Sequence, residues 1–262
     1  MQALFKHNDK IFYKHDLIQA LKKLGIKKGD IICIHSEIYN LGIPLADNKI
    51  LLQQILESFE EVVGSDGTII MPTFTYSFCN KEIYDKVNSI TKIGTLNEFF
   101  RKQKDVKRTN DPIFSFAIKG AKEELFLKDT ESCFGVNSVY DILTKNAGKL
   151  IFFGNWELEG MTYFHYLEEL AQVSYRYYKL FSGKIADENG MVKEWNINFY
   201  CRNTKKNSIA SLKIVLNLLS CKNKINIIKY AGATISLMNI IDIYKECLKK
   251  LKDDETFFLE KK

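Results

Sequence analysis

The sequence predicts an α/β fold in which a mostly parallel central sheet is covered by helices on both faces. Short β-branched or aromatic runs of strand length alternate with segments whose apolar residues recur at helical spacing, an order typical of βα units. The 262 residues suit one domain of this kind and are enough to bury a sizeable core. Near residue 175 the alternation stops, and the run 177–202 predicts an antiparallel strand insertion around the turn sequence DENG.

The predicted strands and helices follow one another along the chain. We expect strands at 30–35, 68–71, 149–153 and 225–230, and helices at 16–24, 48–63, 95–102, 138–146, 161–172, 208–219 and 240–251. Gly25, Gly64 and Gly148 each follow a helical segment, where a glycine commonly ends a helix. Thr95 and Glu98 have the spacing of a capping box at a helix start.

Composition and charge narrow the class of protein. With 46% hydrophobic residues and only 3 Pro, the chain is neither disordered nor collagen-like. No apolar run is long enough to span a bilayer, and the N-terminus lacks the apolar core of a signal peptide, so we expect a cytoplasmic protein with no membrane partner. The six cysteines form no CxxC pair, as expected of reduced thiols. A dispersed net charge of +6 argues against nucleic-acid binding but favours anionic small molecules.

Polar side chains gather where three predicted strands end, which is where ligands bind in α/β sheets. The residues that follow these strands are His35 and Ser36, then Thr73 and Tyr76, then Thr162, His165 and Glu168. The last three have the spacing i, i+3 and i+6, which places them along one side of a helix. A histidine beside a carboxylate suits a general base. A capping threonine with a surface His–Glu pair is the structural alternative, and no metal is expected because a second ligand pair is missing.

Other segments allow two interpretations. His35 and Ser36 suit either a phosphate or thioester site, or a core histidine followed by an ordinary helix cap. Arg108 lies in a polar turn that suits either an anionic cofactor or a solvated loop. The run YRYYK at 175–179 suits nucleic-acid stacking or, more often, an amphipathic strand whose arginine meets a carboxylate. No P-loop, GxGxxG or GxSxG motif occurs, which removes support for ATP, dinucleotide and serine-hydrolase sites.

Seven segments match one known family in its order and at plausible spacing. They are LGIKKGDIICIHSEIYNLG (24–42), GTIIMPTFT (67–75), GTLNEFFRK (94–102), KRTNDPIFSFAIKG (107–120), FGVNSVYDIL (134–143), KLIFFG (149–154) and MTYFHYLEE (161–169). Together they resemble the aminoglycoside 3-N-acetyltransferase family, including relatives that acylate amino sugars in surface-polysaccharide pathways. The last third of the chain matches less distinctively, apart from YRYYKLFSG at 175–183.

The resemblance implies that one domain, residues 1–262, transfers an acyl group from acyl-coenzyme A to a sugar amine. It implies His165 as general base, Glu168 as its orienting carboxylate and Thr162 as a residue that shapes the site. The residues implied for coenzyme A binding are His35, Ser36, Thr73, Arg108 and Ser115. Direct attack of the amine on the thioester is the expected mechanism, without a metal or a covalent acyl-enzyme. Glu37 departs from the family, which has a small hydroxyl residue there.

The acceptor is predicted from the charge of the chain. Aminoglycosides are polycations that favour an acidic enzyme, whereas a net basic chain suits acyl-coenzyme A and a nucleotide-linked amino sugar. We therefore expect a nucleotide-linked amino sugar first, contacted by Tyr76, Tyr175 and Arg176. An aminoglycoside-modifying resistance enzyme is the second alternative, and a non-catalytic relative that binds coenzyme A or a sugar is the third. An enzyme of this size is also compatible with a homodimer.

Overall fold

The structure, a computed structural model, describes residues 2–154, 158 and 160–260. The strands are β1 (Ala3–His7), β2 (Lys10–Tyr13), β3 (Ile31–Ser36), β4 (Ile43–Pro44), β5 (Thr68–Pro72), β6 (Tyr84–Asp85), β7 (Lys107–Arg108), β8 (Phe116–Gly120), β9 (Lys149–Phe153), β10 (Arg176–Ala186), β11 (Val192–Arg202), β12 (Asn226–Tyr230) and β13 (Ala233–Asn239). The α-helices are α1 (Lys14–Leu24), α2 (Asn48–Val63), α3 (Thr95–Arg101), α4 (Val139–Lys145), α5 (Tyr163–Ala171), α6 (Leu212–Cys221) and α7 (Ile240–Asp253).

A seven-stranded sheet forms the centre, with the strand order β12-β13-β9-β3-β5-β8-β7. This confirms the α/β class, but the sheet is mixed rather than mostly parallel. Strand β3 pairs in parallel with β5 and β9, whereas the strands outside these three pair antiparallel. The long connection after β5 brings the chain back to the same end of the sheet, so that Phe116 pairs with Pro72 and β8 runs antiparallel to β5. The prediction missed β7, β8 and β13, which supply the antiparallel flanks.

Helices cover both faces of this sheet, as predicted. Successive residues of β3 point to opposite sides, because side chains alternate along a strand. Ile32 and Ile34 belong to one apolar core together with residues of α1, α2 and α3. Ile31 and Cys33 belong to the other core, with residues of α4, α5, α6 and α7. Within the described residues, we find no helix whose length and apolarity would let it cross a membrane.

Most helix ends agree with the sequence patterns, but the capping box at α3 is wrong. Gly94 is the N-cap of α3, and Thr95 is its first helical residue. The Glu98 carboxylate accepts the Thr91 N–H at 3.0 Å and pairs with Arg101 at 2.6 Å. The Glu98 carboxylate therefore binds the N–H of Thr91 and the guanidinium of Arg101, and it does not cap the start of α3.

The predicted antiparallel insertion is the hairpin formed by β10 and β11. The two strands pair from Arg176 opposite Arg202 to Ala186 opposite Val192, and β6 adds a short parallel strand to β10. On β11, the ring of Phe199 packs against Phe114 at 4.9 Å. The hairpin thereby lies against the loops that follow the central strands.

Candidate active site

Helix α5 follows β9 and carries the predicted His–Glu pair. The Nδ1 atom of His165 lies 2.8 Å from Oε2 of Glu168, as the i, i+3 spacing predicts. The imidazole is 29% exposed, whereas the carboxylate is fully buried. This burial excludes the alternative of a surface His–Glu pair. With an ionised Glu168 as acceptor, Nδ1 carries the proton, and Nε2 is left as the atom that can accept one.

Arg176, the first residue of β10, completes this cluster. Its Nη2 atom lies 2.8 Å from Oε2 of Glu168 and 3.0 Å from Nδ1 of His165. Its Nη1 atom donates to the carbonyl of Tyr200 at 3.0 Å. The arginine was expected to contact substrate, but its side chain is only 2% exposed. The structure agrees with the other interpretation of the run YRYYK at 175–179, in which the arginine pairs with a nearby carboxylate.

Glu168 is ionised in this environment. Burial alone would raise its pKa, but the hydrogen bond and charge of His165, and then those of Arg176, outweigh burial and hold the pKa below its usual range. Its second oxygen, Oε1, makes no hydrogen bond to any described residue, and the same is true of the buried Tyr175 hydroxyl. The pKa of Tyr175 is raised by burial and by the neighbouring Glu168 charge, so the phenol is neutral. Tyr175, also expected to contact substrate, is thus buried beside Glu168.

A cleft of about 320 Å³ opens at the ends of β3 and β5. Four predicted site residues line it, namely His35, Ser36, Tyr76 and Thr162, and further lining residues include Phe74, Ile93 and Asn97. We call it the strand-end cleft. The prediction that separate strand ends meet in one place is confirmed for these four residues.

Two hydrogen-bonded groups shape the floor of the strand-end cleft. The hydroxyl of Tyr140 lies 2.6 Å from Thr162 Oγ1 and 3.4 Å from His35 Nε2. The His35 ring stacks on Phe152, and burial lowers its pKa to about 4, so the imidazole is neutral. Ser36 donates to Oδ1 of Asn97 at 2.7 Å. Tyr140 and Asn97 were not predicted, although both lie in segments that carry the family resemblance.

Three residues predicted to bind coenzyme A lie outside this cleft. Thr73 and Ser115 are fully buried, with their hydroxyl oxygens 3.3 Å apart. Arg108 is also buried, and its guanidinium donates to the Thr73 hydroxyl at 3.1 Å, the Thr73 carbonyl at 2.7 Å and the Ser89 carbonyl at 2.7 Å. A buried guanidinium needs such acceptors. Arg108 therefore fits neither the phosphate-binding nor the solvated-loop interpretation.

A second cleft, of about 680 Å³, is lined in part by Glu169, which lies four residues after His165 on α5. Its acidic lining residues are Asp129, Glu131 and Glu169, and we call it the acidic cleft. No lysine or arginine is among the lining residues that the structure describes. Glu169 accepts hydrogen bonds from the hydroxyls of Ser132 at 2.9 Å and Tyr178 at 3.3 Å. Burial raises the pKa of Glu169, and these bonds oppose that effect.

The acidic cleft was missed because its carboxylates are far apart in the sequence. Glu169 stands directly after Glu168, and its position on α5 was the only local signal. Asp129 and Glu131 belong to a loop that carries no recognisable motif. Across the described residues, no three His, Cys, Asp or Glu side chains are grouped so as to hold a metal ion.

Comparisons with known proteins agree on one family. The aminoglycoside 3-N-acetyltransferase family model matches residues 33–252. A curated relative, the SPbeta prophage-derived aminoglycoside N(3')-acetyltransferase-like protein YokD of Bacillus subtilis (strain 168), is 25% identical over 145 residues. That match covers 47% of this chain and only 52% of the relative's length, so the chain matches about half of it.

Solved structures share the fold over nearly their whole length. AAC-VIa with bound sisomicin is 20% identical, with a TM-score of 0.79 over 92% of this chain and 98% of that one. AAC-IIIb in a binary complex with CoASH is 20% identical, with a TM-score of 0.78 over 92% of this chain and 96% of that one. At this level of identity the likeness shows the fold, and the family model confirms the resemblance seen in the sequence. The chain belongs to the aminoglycoside 3-N-acetyltransferase family, a family of N-acyltransferase enzymes.

Proposed function

We propose that this protein transfers an acyl group from acyl-coenzyme A to an amine of an aminoglycoside, with His165 as the general base and residues 1–262 as one catalytic domain. The position of His165 on α5 carries the proposal. Thr162, three residues earlier, lines the strand-end cleft, and Glu169, four residues later, lines the acidic cleft. A base between two clefts can receive a proton from a molecule in one while that molecule attacks a molecule in the other.

The strand-end cleft suits the acyl donor. It offers the Thr162 hydroxyl and the neutral imidazole of His35, which can hydrogen-bond a thioester or an amide, and the Ser36 hydroxyl oxygen, which can accept from an amide N–H while its proton is donated to Asn97. Donors directed at a thioester oxygen stabilise the charge that develops there during acyl transfer. The relative AAC-IIIb was solved with CoASH, which supports the same ligand class here. The strand-end cleft would be held in shape by three buried residues that do not line it, namely Thr73, Ser115 and Arg108.

The acidic cleft suits a polycationic acceptor. Protonated amines would meet Asp129, Glu131 and Glu169 with no described lysine or arginine to repel them. AAC-VIa was solved with sisomicin, an acceptor of this kind. The preference for a nucleotide-linked amino sugar rested on the net charge of +6, and an expected contact with Arg176 followed from it. Local charge reverses that argument, and the burial of Arg176 removes the expected contact, so the aminoglycoside now ranks first.

Direct transfer follows from this arrangement. The amine nitrogen attacks the thioester carbonyl carbon, and Nε2 of His165 accepts the proton that the amine loses. The tetrahedral intermediate then breaks its carbon–sulfur bond, and the imidazolium returns the proton to the departing thiolate. Glu168 holds the ring by Nδ1 and stabilises the imidazolium between these two steps. The products are an amide and coenzyme A.

The test is thiol release from acetyl-coenzyme A with a panel of acceptors. Sisomicin and other aminoglycosides are assayed beside nucleotide-linked amino sugars, and coenzyme A binding is followed by thermal stabilisation. We expect release with at least one aminoglycoside. Release with nucleotide-linked sugars alone would restore the other acceptor class, and binding of coenzyme A without release from any acceptor would indicate a non-catalytic relative.

A further inference from the structure

We infer that Arg176 is a positioning residue of the acyl transfer: it is the permanent counter-ion of Glu168, so the carboxylate stays paired when the His165 imidazole is free to act as a base. The inference rests on the proposed function and deepens it. Arg176 touches neither cleft, so it would act through Glu168 and His165 and not on a substrate.

The geometry joins one guanidinium nitrogen to both members of the pair. Nη2 of Arg176 lies 2.8 Å from Oε2 of Glu168, the same oxygen that lies 2.8 Å from Nδ1 of His165. One carboxylate oxygen therefore accepts from both the guanidinium and the imidazole. The remaining contact, 3.0 Å between Nη2 and Nδ1, brings a fixed positive charge directly beside the ring.

Charge balance explains why a third group is needed. A carboxylate that is fully buried requires a cation close by, because an uncompensated buried charge is strongly unfavourable. If His165 were the available cation, the imidazole would hold its proton at rest and would be unable to accept another. With Arg176 as the cation, Glu168 keeps a counter-ion whether or not the imidazole carries a second proton. The carboxylate can still stabilise the imidazolium that forms during the reaction.

The hairpin of β10 and β11 positions Arg176 beside Glu168. Arg176 is the first residue of β10, and its Nη1 atom is tied to the carbonyl of Tyr200 on β11. Both strands of the hairpin therefore hold the guanidinium against α5. This gives the antiparallel insertion a specific contribution to the site.

Among the residues that the structure describes, His165 makes side-chain hydrogen bonds or ion pairs only with Glu168 and Arg176. Glu169, on the same helix, is bonded to Ser132 and Tyr178. Tyr175, at the start of the hairpin, is a buried neutral phenol. The ring of Phe134, 5.6 Å from the imidazole in an edge-on arrangement, is uncharged. Removal of the Arg176 charge should therefore be felt directly as tighter proton binding by His165.

The test uses histidine NMR signals, which do not depend on turnover. The chain has 4 histidines, and the His165→Ala variant identifies the His165 signal by its loss. We compare the wild type with Arg176→Met, which removes the charge, and Arg176→Lys, which keeps it. Arg202→Met is the control, because Arg202 is exposed and lies directly opposite Arg176 in the hairpin.

We expect the His165 titration midpoint to rise by about one pH unit or more in Arg176→Met, and to stay near the wild-type value in the lysine and Arg202 variants. The acid limb of kcat/KM should move in the same direction, whereas a purely structural role would lower the rate equally at every pH. An unchanged midpoint in a folded Arg176→Met protein would overturn the inference. If that variant does not fold, Arg176→Gln gives the same comparison. Absence of turnover in the wild type would count against the proposed function. The NMR titration would still decide whether Arg176 affects proton binding by His165.

Discussion

Nδ1 of His165 and Oε2 of Glu168 lie 2.8 Å apart, with the imidazole 29% exposed and the carboxylate fully buried. This asymmetry suits a catalytic pair, because the ring can reach a substrate while the carboxylate that orients it is shielded from water. The same burial makes Glu168 sensitive to substitution. Its charge is balanced by Arg176, whose Nη2 atom lies 2.8 Å from the same oxygen.

Glu168→Gln should therefore affect both activity and stability. Loss of the carboxylate should lower kcat by at least about 10-fold, because the imidazolium loses its partner. Loss of the charge leaves Arg176 buried without a counter-ion, which should lower the free energy of unfolding by about 3 kcal/mol at pH 7. The variant and the wild type are compared by urea unfolding.

The stability difference should also depend on pH. The pKa of Glu168 is lowered in the folded protein, so ionised Glu168 stabilises the fold above the unfolded glutamate pKa of about 4.3. That contribution is lost as the pH falls from there through the lower folded value. The difference between wild type and variant should shrink below pH 4, and a difference that is constant down to pH 2.5 would show that the charge is not its cause.

Glu169→Gln should weaken binding of a polycationic acceptor. The change removes one negative charge from the acidic cleft but keeps a side chain of similar size. We expect the acceptor KM to rise several-fold with kcat nearly unchanged, and added salt to raise the wild-type KM more than that of the variant. Glu61→Gln, on the exposed side of α2, is the matched control. Equal KM values for all three proteins would remove the acidic cleft from the acceptor site.

His35 should make the wild type lose stability in mild acid. Burial lowers its pKa to about 4, below the unfolded value of about 6.5, so the unfolded chain binds a proton more readily. The contribution of the neutral imidazole is complete above pH 6.5 and is lost as the pH falls towards 4, with a size on the order of 3 kcal/mol. Urea unfolding of wild type and His35→Gln should show a steeper decline for the wild type over this range. Parallel declines would mean that the fold does not lower the pKa of His35.

The fold was predictable where local patterns are strong. Helix α2 and strand β9 have the predicted bounds, because helical spacing over 48–63 and the apolar run at 149–153 are unambiguous. Strands β7 and β13 were not predictable in this way. Strand β7 has two residues, and β13 follows β12 across a turn at residues 231–232, so their pairing depends on the sheet already formed. The direction of β8 likewise depends on the end of the sheet to which the long connection between β5 and β8 returns.

Within the site, sequence spacing predicted the contact between His165 and Glu168 but not the partner that balances it. Arg176 reaches Glu168 from another element, and its burial is decided by how the hairpin packs. The same is true of Tyr140, whose hydroxyl meets His35 and Thr162 from α4. Net charge did not predict the local charge, since +6 over the whole chain coexists with a cleft whose charged lining residues, among those described, are acidic.

The most direct test of the account is thiol release by His165→Ala, measured with acetyl-coenzyme A and the best aminoglycoside acceptor. His15→Ala is the control, because His15 is an exposed residue of α1. We predict that His165→Ala lowers kcat by about 10²- to 10⁴-fold while coenzyme A still raises the melting temperature as in the wild type. His15→Ala should retain full activity. Turnover by His165→Ala close to that of the wild type would contradict the assignment of His165 as the base.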